Sequence, residues 1–224
     1  MNEGTTSIIV RGEQLLLHPH RAVPWPRRKA VIVADTHFGK SSFFGRHGIA
    51  VPAGSDVEDR ARLSRLLRGS QAEFLFVLGD FLHAPIALNS RDGLELESWA
   101  RDLAPAQVIV IAGNHDRGAK PLSSILWRQG ELLEPPFRLI HEAGPREEQD
   151  EHFTLSGHIH PVMKLRSSKR ALRVPVFWHR PSGLALPSFG AFTGGYPVRA
   201  ALGERLYAVG PDSVTPMPSP GPAA

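Results

Sequence analysis

Three stretches of this 224-residue chain place metal-ligating side chains directly after apolar runs: "VIVADTH" (31–37), "FVLGDFLH" (76–83) and "VIVIAGNHD" (108–116). A fourth polar cluster, "SGHIHP" (156–161), adds two histidines, and His141 stands alone after "FRLI". Apolar runs of this kind form buried strands, and ligands of α/β sheets gather where strands end. Convergence of those ends would bring Asp35, His37, Asp80, His83, Asn114, His115 and Asp116 into one crevice. His141, His158 and His160 can join them.

The donor types state the chemistry. Carboxylate and amide oxygens suit hard cations, whereas imidazole suits borderline ones. A mixed Asp, Asn and His set therefore fits manganese, iron or zinc better than calcium. The chain has no cysteine, which rules out thiolate sites and disulfides. Residues i and i+2 of a strand share a face, so Asp35 and His37 can reach one ion, as can His158 and His160. A carboxylate has two oxygens and can bridge two cations. Asp80 is the candidate bridge, because Gly79 allows close backbone approach. Gly39, Gly113 and Gly157 have the same expected role beside the other ligands. An isolated histidine usually needs no functional explanation, and His18, His20, His47, His152 and His179 are read that way. The ordered recurrence of short polar groups at strand ends is what carries the signal.

The elements that must position these groups follow from hydrophobic periodicity. "SIIVRGEQLLLHP" (7–19) predicts two short strands around Arg11-Gly12-Glu13. Residues 20–29 read as a basic surface connection, and 40–55 as a long loop. Residues 56–69 predict a helix capped by Asp56, with Leu63, Leu66 and Leu67 as its apolar stripe. A second helix is expected over 92–103, buried through Leu94 or Leu96 with Trp99 and Leu103. A third is expected over 121–130, with Pro at its start and Gly at its end. Strand-like runs at 137–144, 152–161, 172–180 and 204–210 follow without strong helices between them. Residues 146–151 read as an exposed acidic loop. The fold class is therefore α/β: two mixed β-sheets packed as a sandwich and flanked by helices. The expected organisation is one domain over 1–209 and a proline-rich, disordered tail over 210–224.

Composition narrows the class further. The chain is 42% hydrophobic and 21% charged, as soluble globular proteins are. No apolar run is long enough to span a bilayer, and the N-terminus lacks the pattern of a signal peptide. These features, with the absent cysteines, make the cytoplasm the expected location. A net charge of +4 leans toward a polyanionic partner. Arg21, Arg27, Arg28, Lys29, Lys40 and Arg46 flank the first motif and could line a phosphate backbone. Trp25, Phe43 and Phe44 could stack bases.

Asp-x-His, Gly-Asp-x-x-His, Gly-Asn-His-Asp, a single His and Gly-His-x-His-Pro, in that order over 35–161, resemble the motif series of the calcineurin-like metallophosphoesterases. Within that superfamily, "ADTHFGKSSFFGRHGIAVPAG" (34–54), "LGDFLHA" (78–84) and "LPSFGAFTGG" (186–195) are similar to the PdeM-like subfamily of bacterial DNA-ligase-associated enzymes. Thr36 departs from the leucine more usual there. The resemblance implies a four-layer fold and a dinuclear, metal-dependent phosphoesterase. It implies that Asp35, His37 and His160 hold one cation, that Asn114, His141 and His158 hold the other, and that Asp80 bridges them. His115 would be the general acid, oriented by His83 or Asp116. Manganese is the expected ion, with iron, zinc or magnesium as alternatives. The implied activity is that of a phosphodiesterase or nuclease on DNA or RNA in a repair context, alongside a ligase, helicase or exonuclease. The rival readings are a phosphodiesterase or pyrophosphatase for small nucleotides or lipid headgroups, and a metal-holding docking module.

Overall fold

The structure is a computed structural model, and it describes residues 3–49, 54–144, 151–166, 171–191 and 193–219. Most of the acidic stretch at 146–151 lies outside the described residues.

A five-stranded sheet has the order β3 (Val23–Trp25), β4 (Ala30–Val33), β5 (Phe74–Leu78), β6 (Gln107–Ile111), β7 (Ile125–Arg128). Strands β4 to β7 are parallel, and β3 closes one edge antiparallel to β4. Side chains alternate along these strands, and both faces are covered. Ile32, Ala34, Phe76, Leu78, Ile109 and Ile111 face the second sheet. Val31, Val33, Leu75, Val77, Val108 and Val110 face the helices. Burial on both faces is why the three runs are uninterruptedly apolar.

The helical layer is α2 (Ser55–Gly69) and α3 (Arg91–Asp102). They bury Leu63, Leu66 and Leu67, and Leu96 and Ala100, against that face. Of the two stripes considered for α3, the one through Leu96 is correct; Leu94 is exposed. Asp56 is not the cap of α2, which begins one residue earlier behind Gly54. Its carboxylate accepts the Gly39 N–H instead, at 3.1 Å.

The second, nine-stranded mixed sheet runs β14 (Tyr196–Pro197), β11 (Pro161–Arg166), β12 (Ala171–Arg180), β13 (Gly183–Ala185), β10 (Phe153–Ser156), β9 (Phe137–Ile140), β8 (Glu131–Glu134). Strands β15 (Arg205–Val209) and β16 (Val214–Pro216) branch from β12. Its inward face supplies Phe137, Leu139, Phe153, Leu155, Phe177, Leu184 and Leu186 to the shared core. The hairpin β1 (Thr6–Val10) and β2 (Glu13–Leu17) caps that core with Leu15 and Leu17. The α/β two-sheet architecture expected from the sequence is present, flanked by helices.

Four local expectations fail, each for a tertiary reason. Residues 20–29 contain β3, because Val23 and Trp25 are buried and pair with β4. Part of 40–55 is a helix, α1 (Lys40–Arg46), which buries none of its residues and is held by contacts to its neighbours. Residues 125–128 form β7 rather than a helix; parallel pairing with the edge of β6 satisfies a backbone whose helical period was weak. The tail expected to be disordered contains a strand, and its residues 220–224 lie outside the described residues. β16 pairs with β15, and Val214 is buried and donates its N–H to the Gly4 carbonyl at 2.8 Å. Among the described residues no helix is long and apolar enough to cross a membrane.

Candidate metal centre

Strand register sets the site. Val33, Val77 and Val110 are level across β4, β5 and β6, so the three polar segments emerge side by side. The first two then run on as a bonded pair: the His37 N–H donates to the Asp80 carbonyl at 2.9 Å, and the Phe38 N–H to Phe81 at 2.8 Å. From the other sheet, β9 and β10 end level, with the Gly157 N–H donating to the His141 carbonyl at 3.0 Å. His141 and His158 thereby face the first group across the top of the sandwich.

The backbone is strained at these positions. Asp35, His37, Asp80, His158 and His160 all have left-handed φ, between 46 and 69°. Non-glycine residues adopt this region at a cost and usually only where the surroundings compel it. Close approach also requires glycine. A Cβ on Gly79 would lie 2.0 Å from His141 Nδ1, and one on Gly113 would lie 2.2 Å from Asp80 Oδ1. Gly157 similarly abuts Asp35, whereas Gly39 touches no ligand, contrary to expectation.

Two sets of donor atoms result. Ligand atoms of Asp35, His37, Asp80 and His160 lie within 4.8 Å of one another, and so do those of Asp80, His141 and His158. Asn114 Oδ1 adjoins the second set, 3.0 Å from His141 Nε2. Asp80 belongs to both. A third grouping, His37 with His83 and His115, sits alongside.

The chemistry of these donors fits divalent cations. Neither ring nitrogen of buried His37 has a hydrogen-bond partner. Burial, then the positive charge of His160 and Lys40, pushes its pKa down to about 2, so the ring is a neutral ligand imidazole. His141 Nδ1–H donates to the Leu78 carbonyl at 3.1 Å. Its Nε2 faces Asn114 Oδ1 at 3.0 Å, His158 Nδ1 at 3.1 Å and Asp80 Oδ1 at 3.5 Å. Nitrogen and oxygen atoms of ligand type thus converge on one point, an arrangement that suits a cation. His160 donates Nδ1–H to the Gly194 carbonyl at 3.1 Å and presents Nε2 to Asp35 Oδ1 at 3.4 Å. Burial opposes its protonation, yet the Asp35 contact and charge prevail and raise its pKa. The carboxylate demands positive charge at that spot.

His115 stands beside both sets. Its backbone N–H donates to Asp80 Oδ1 at 2.9 Å, and its Nδ1–H to the His83 carbonyl at 2.7 Å. The orienting group is thus the main chain of His83, not its imidazole, which stacks on the His115 ring with centroids 5.2 Å apart. Asp116 does not supply that orientation. Its buried carboxylate accepts the N–H groups of Leu82 at 2.8 Å, Gly113 at 2.9 Å and Phe81 at 3.2 Å, clamping two ligand loops together. Asp116→Ala leaves three buried donors without an acceptor. At about 1–3 kcal/mol for each unsatisfied group, the variant should lose roughly 3 kcal/mol or more. Urea unfolding checks this: the midpoint must fall with an unchanged slope, and an unmoved midpoint removes the clamp.

Sequence reasoning missed the support behind Asp35. Arg62 donates to the Phe189 carbonyl at 2.6 Å and to Asp59 at 2.7 Å, and Asp59 accepts the Ala191 N–H at 3.0 Å. Arg21 donates to the Ser188 and Gly190 carbonyls, each at 3.3 Å. The loop they hold returns Ser188 Oγ to the Asp35 carbonyl at 2.8 Å. Thr36 donates its hydroxyl to the Phe81 carbonyl at 2.9 Å, which gives the unusual threonine a structural use. Nothing in the sequence marked Asp59 or Arg62, which look like ordinary helix-surface charges. The expected basic track mostly dissolves. Arg27 pairs with Glu13, Arg28 with Glu134 and Lys29 with Glu73, all at the far end of β4. Trp25 is buried with its Nε1–H on Glu13, so it stacks on no base.

Two adjoining cation pockets that share one carboxylate, set at the strand ends of a two-sheet sandwich, are the architecture of a metallophosphoesterase. The family model described as calcineurin-like phosphoesterase matches residues 28–200, and the chain belongs to that family. It is a metal-dependent phosphoric ester hydrolase. The structure is similar to that of Pseudomonas putida nuclease MPE, with a TM-score of 0.81 and 36% identity over 95% of this chain and 100% of that one. The Escherichia coli phosphoesterase Yfce gives a TM-score of 0.47 and 18% identity over 83% of this chain and 95% of that one. Comparison with curated proteins returned no match.

Proposed function

We propose that this protein is a nuclease, a phosphodiesterase that cleaves the backbone of DNA or RNA with manganese as its preferred ion. The observation that carries the reading is the pairing of two cation pockets through Asp80 with an adjacent imidazole, His115, whose Nδ1 is already committed to the His83 carbonyl. The likeness to a protein described as a nuclease supports the substrate class.

Asp35, His37, Asp80 and His160 would hold one cation, and Asp80, Asn114, His141 and His158 the other. When bound, the pair supplies positive charge for the phosphoryl oxygens and water activated for attack near neutral pH. The residues of the chain do the rest. The His83 carbonyl fixes the His115 ring through Nδ1, which leaves Nε2 as the atom that would pass a proton to the leaving oxygen when the ring is protonated. The Asp80 carboxylate, by accepting the His115 N–H, ties the position of that acid to the position of the shared ligand. Asp116 keeps both loops in register. A role in nucleic-acid repair is part of the proposal and draws on the resemblance of the 34–54 and 186–195 segments.

The test is a substrate panel on metal-stripped protein reconstituted with manganese, magnesium or zinc. Single-stranded circular DNA, duplex DNA, RNA, cyclic nucleotides, dinucleoside pyrophosphates and a phosphomonoester are compared. Manganese-dependent cleavage of a nucleic acid is expected. Robust turnover of a pyrophosphate or cyclic nucleotide with no cleavage of any polymer would overturn the reading.

A further inference from the structure

We infer that helix α1 carries a nucleobase-stacking platform, formed by Phe43 and Phe44, at the mouth of the metal centre. The inference rests on the nucleic-acid reading and assigns where the unpaired base beside the scissile phosphate is received.

The helix begins three residues after His37 and buries none of its side chains. Two adjacent phenylalanines in a helix normally face a core. Here the inner side of α1 is polar. Ser41 and Ser55 share a 2.5 Å hydroxyl contact, Ser42 donates to Asp92 at 3.0 Å, and Arg46 lies 3.8 Å from Asp92. These ties fasten the helix to α2 and α3. The other side carries Lys40, Phe43, Phe44 and His47, spaced i, i+3, i+4 and i+7 on one face. That side turns toward the site. Phe43 and Phe44 lie 5.1 and 5.3 Å from the His83 ring, which in turn stacks on His115. Both phenylalanines remain partly exposed.

The helix is thus inverted for stability and suited to a ligand. An aromatic shelf runs from His115 through His83 to Phe44. A cation and an imidazole flank it: Lys40 Nζ lies 5.9 Å from the Phe44 ring centre, and the His47 ring packs on Phe43 at 4.5 Å. The carboxylates near α1, Asp56 and Asp92, are bonded to Gly39 and Ser42, and the charge of Asp56 also acts on Lys40. Positive charge interleaved with π-faces is the chemistry that receives a single-stranded nucleic acid, whose bases stack without regard to sequence.

The experiment compares Phe44→Ala, Phe44→Leu and Phe44→Trp with wild type on oligothymidylate and on an abasic deoxyribose-phosphate oligomer of equal length. Metal content and the affinity for a fluorescent oligothymidylate are measured in parallel. Phe44→Ala and Phe44→Leu should lower kcat/KM and affinity on oligothymidylate by about tenfold or more, leave the abasic oligomer unaffected and keep wild-type metal content. Phe44→Trp should retain wild-type values. Leucine preserves apolar packing, so full activity in Phe44→Leu, or equal losses on both oligomers, overturns the platform. A wild-type protein inert toward both oligomers but active on other phosphoesters overturns the nuclease reading as well.

Discussion

Asp80→Ala is expected to strip both cations from the protein at once. Among the described residues no other ligand residue sits in both donor sets, and its carboxylate also accepts the His115 N–H at 2.9 Å. Losing a hydrogen-bond partner behind a ligand costs metal sites about 10–100-fold. Losing the shared ligand should exceed that, taking metal content from near two ions per chain to near none and lowering turnover by more than about a hundredfold. Thermal unfolding provides a readout independent of activity. A cation that binds only the folded state raises the melting temperature with concentration. Wild type should show that rise with manganese, and Asp80→Ala should not. Asp80→Asn keeps the shape and one oxygen ligand, so it should fall between them. If Asp80→Ala keeps full metal content, the two pockets are not joined through this residue.

His115→Ala is expected to do the opposite: keep both cations and lose turnover. The variant retains the backbone N–H that bonds Asp80, so the shared ligand stays in place. What disappears is the imidazole Nε2 that would pass a proton to the leaving oxygen. General acid catalysis is typically worth about 10²–10⁴-fold, and the loss should depend on the substrate. Esters with poor leaving groups, such as an alkoxide from a sugar, need that proton. A p-nitrophenyl ester leaves without one and should be nearly unaffected. An equal fall on both kinds of ester, or loss of metal, contradicts the assignment.

Much of the centre is legible in the sequence because the same physics marks it twice. Strands β4, β5 and β6 are covered on both faces, so they read as unbroken apolar runs. The polar groups that follow are out of place for buried strand ends unless something other than water satisfies them. Ile140 before His141 and Ser156 before Gly157 repeat the pattern more faintly, because Arg138 interrupts the apolar run of β9 and Thr154 that of β10. The unread parts depend on contacts between distant residues. β7 exists because β6 has a free edge, and β16 because Val214 finds the inter-sheet core. α1 has no stripe that predicts a buried face, because its aromatic face serves the site instead. The choice between His83 and Asp116 as the orienting group could not be made from residue types, since the answer lies in a backbone carbonyl. The Arg62–Asp59 pair supports a loop 127 residues further along the chain from Arg62 to Phe189, a distance that no local pattern spans.

The central claim is that these scattered side chains hold two neighbouring cations through one common carboxylate. Anomalous scattering at the manganese edge from crystals grown with that ion tests it most directly. Two peaks are expected in each chain: one among Asp35, His37, Asp80 and His160, the other among Asp80, Asn114, His141 and His158. A single peak, or two peaks of which one lies beyond reach of Asp80, would contradict it.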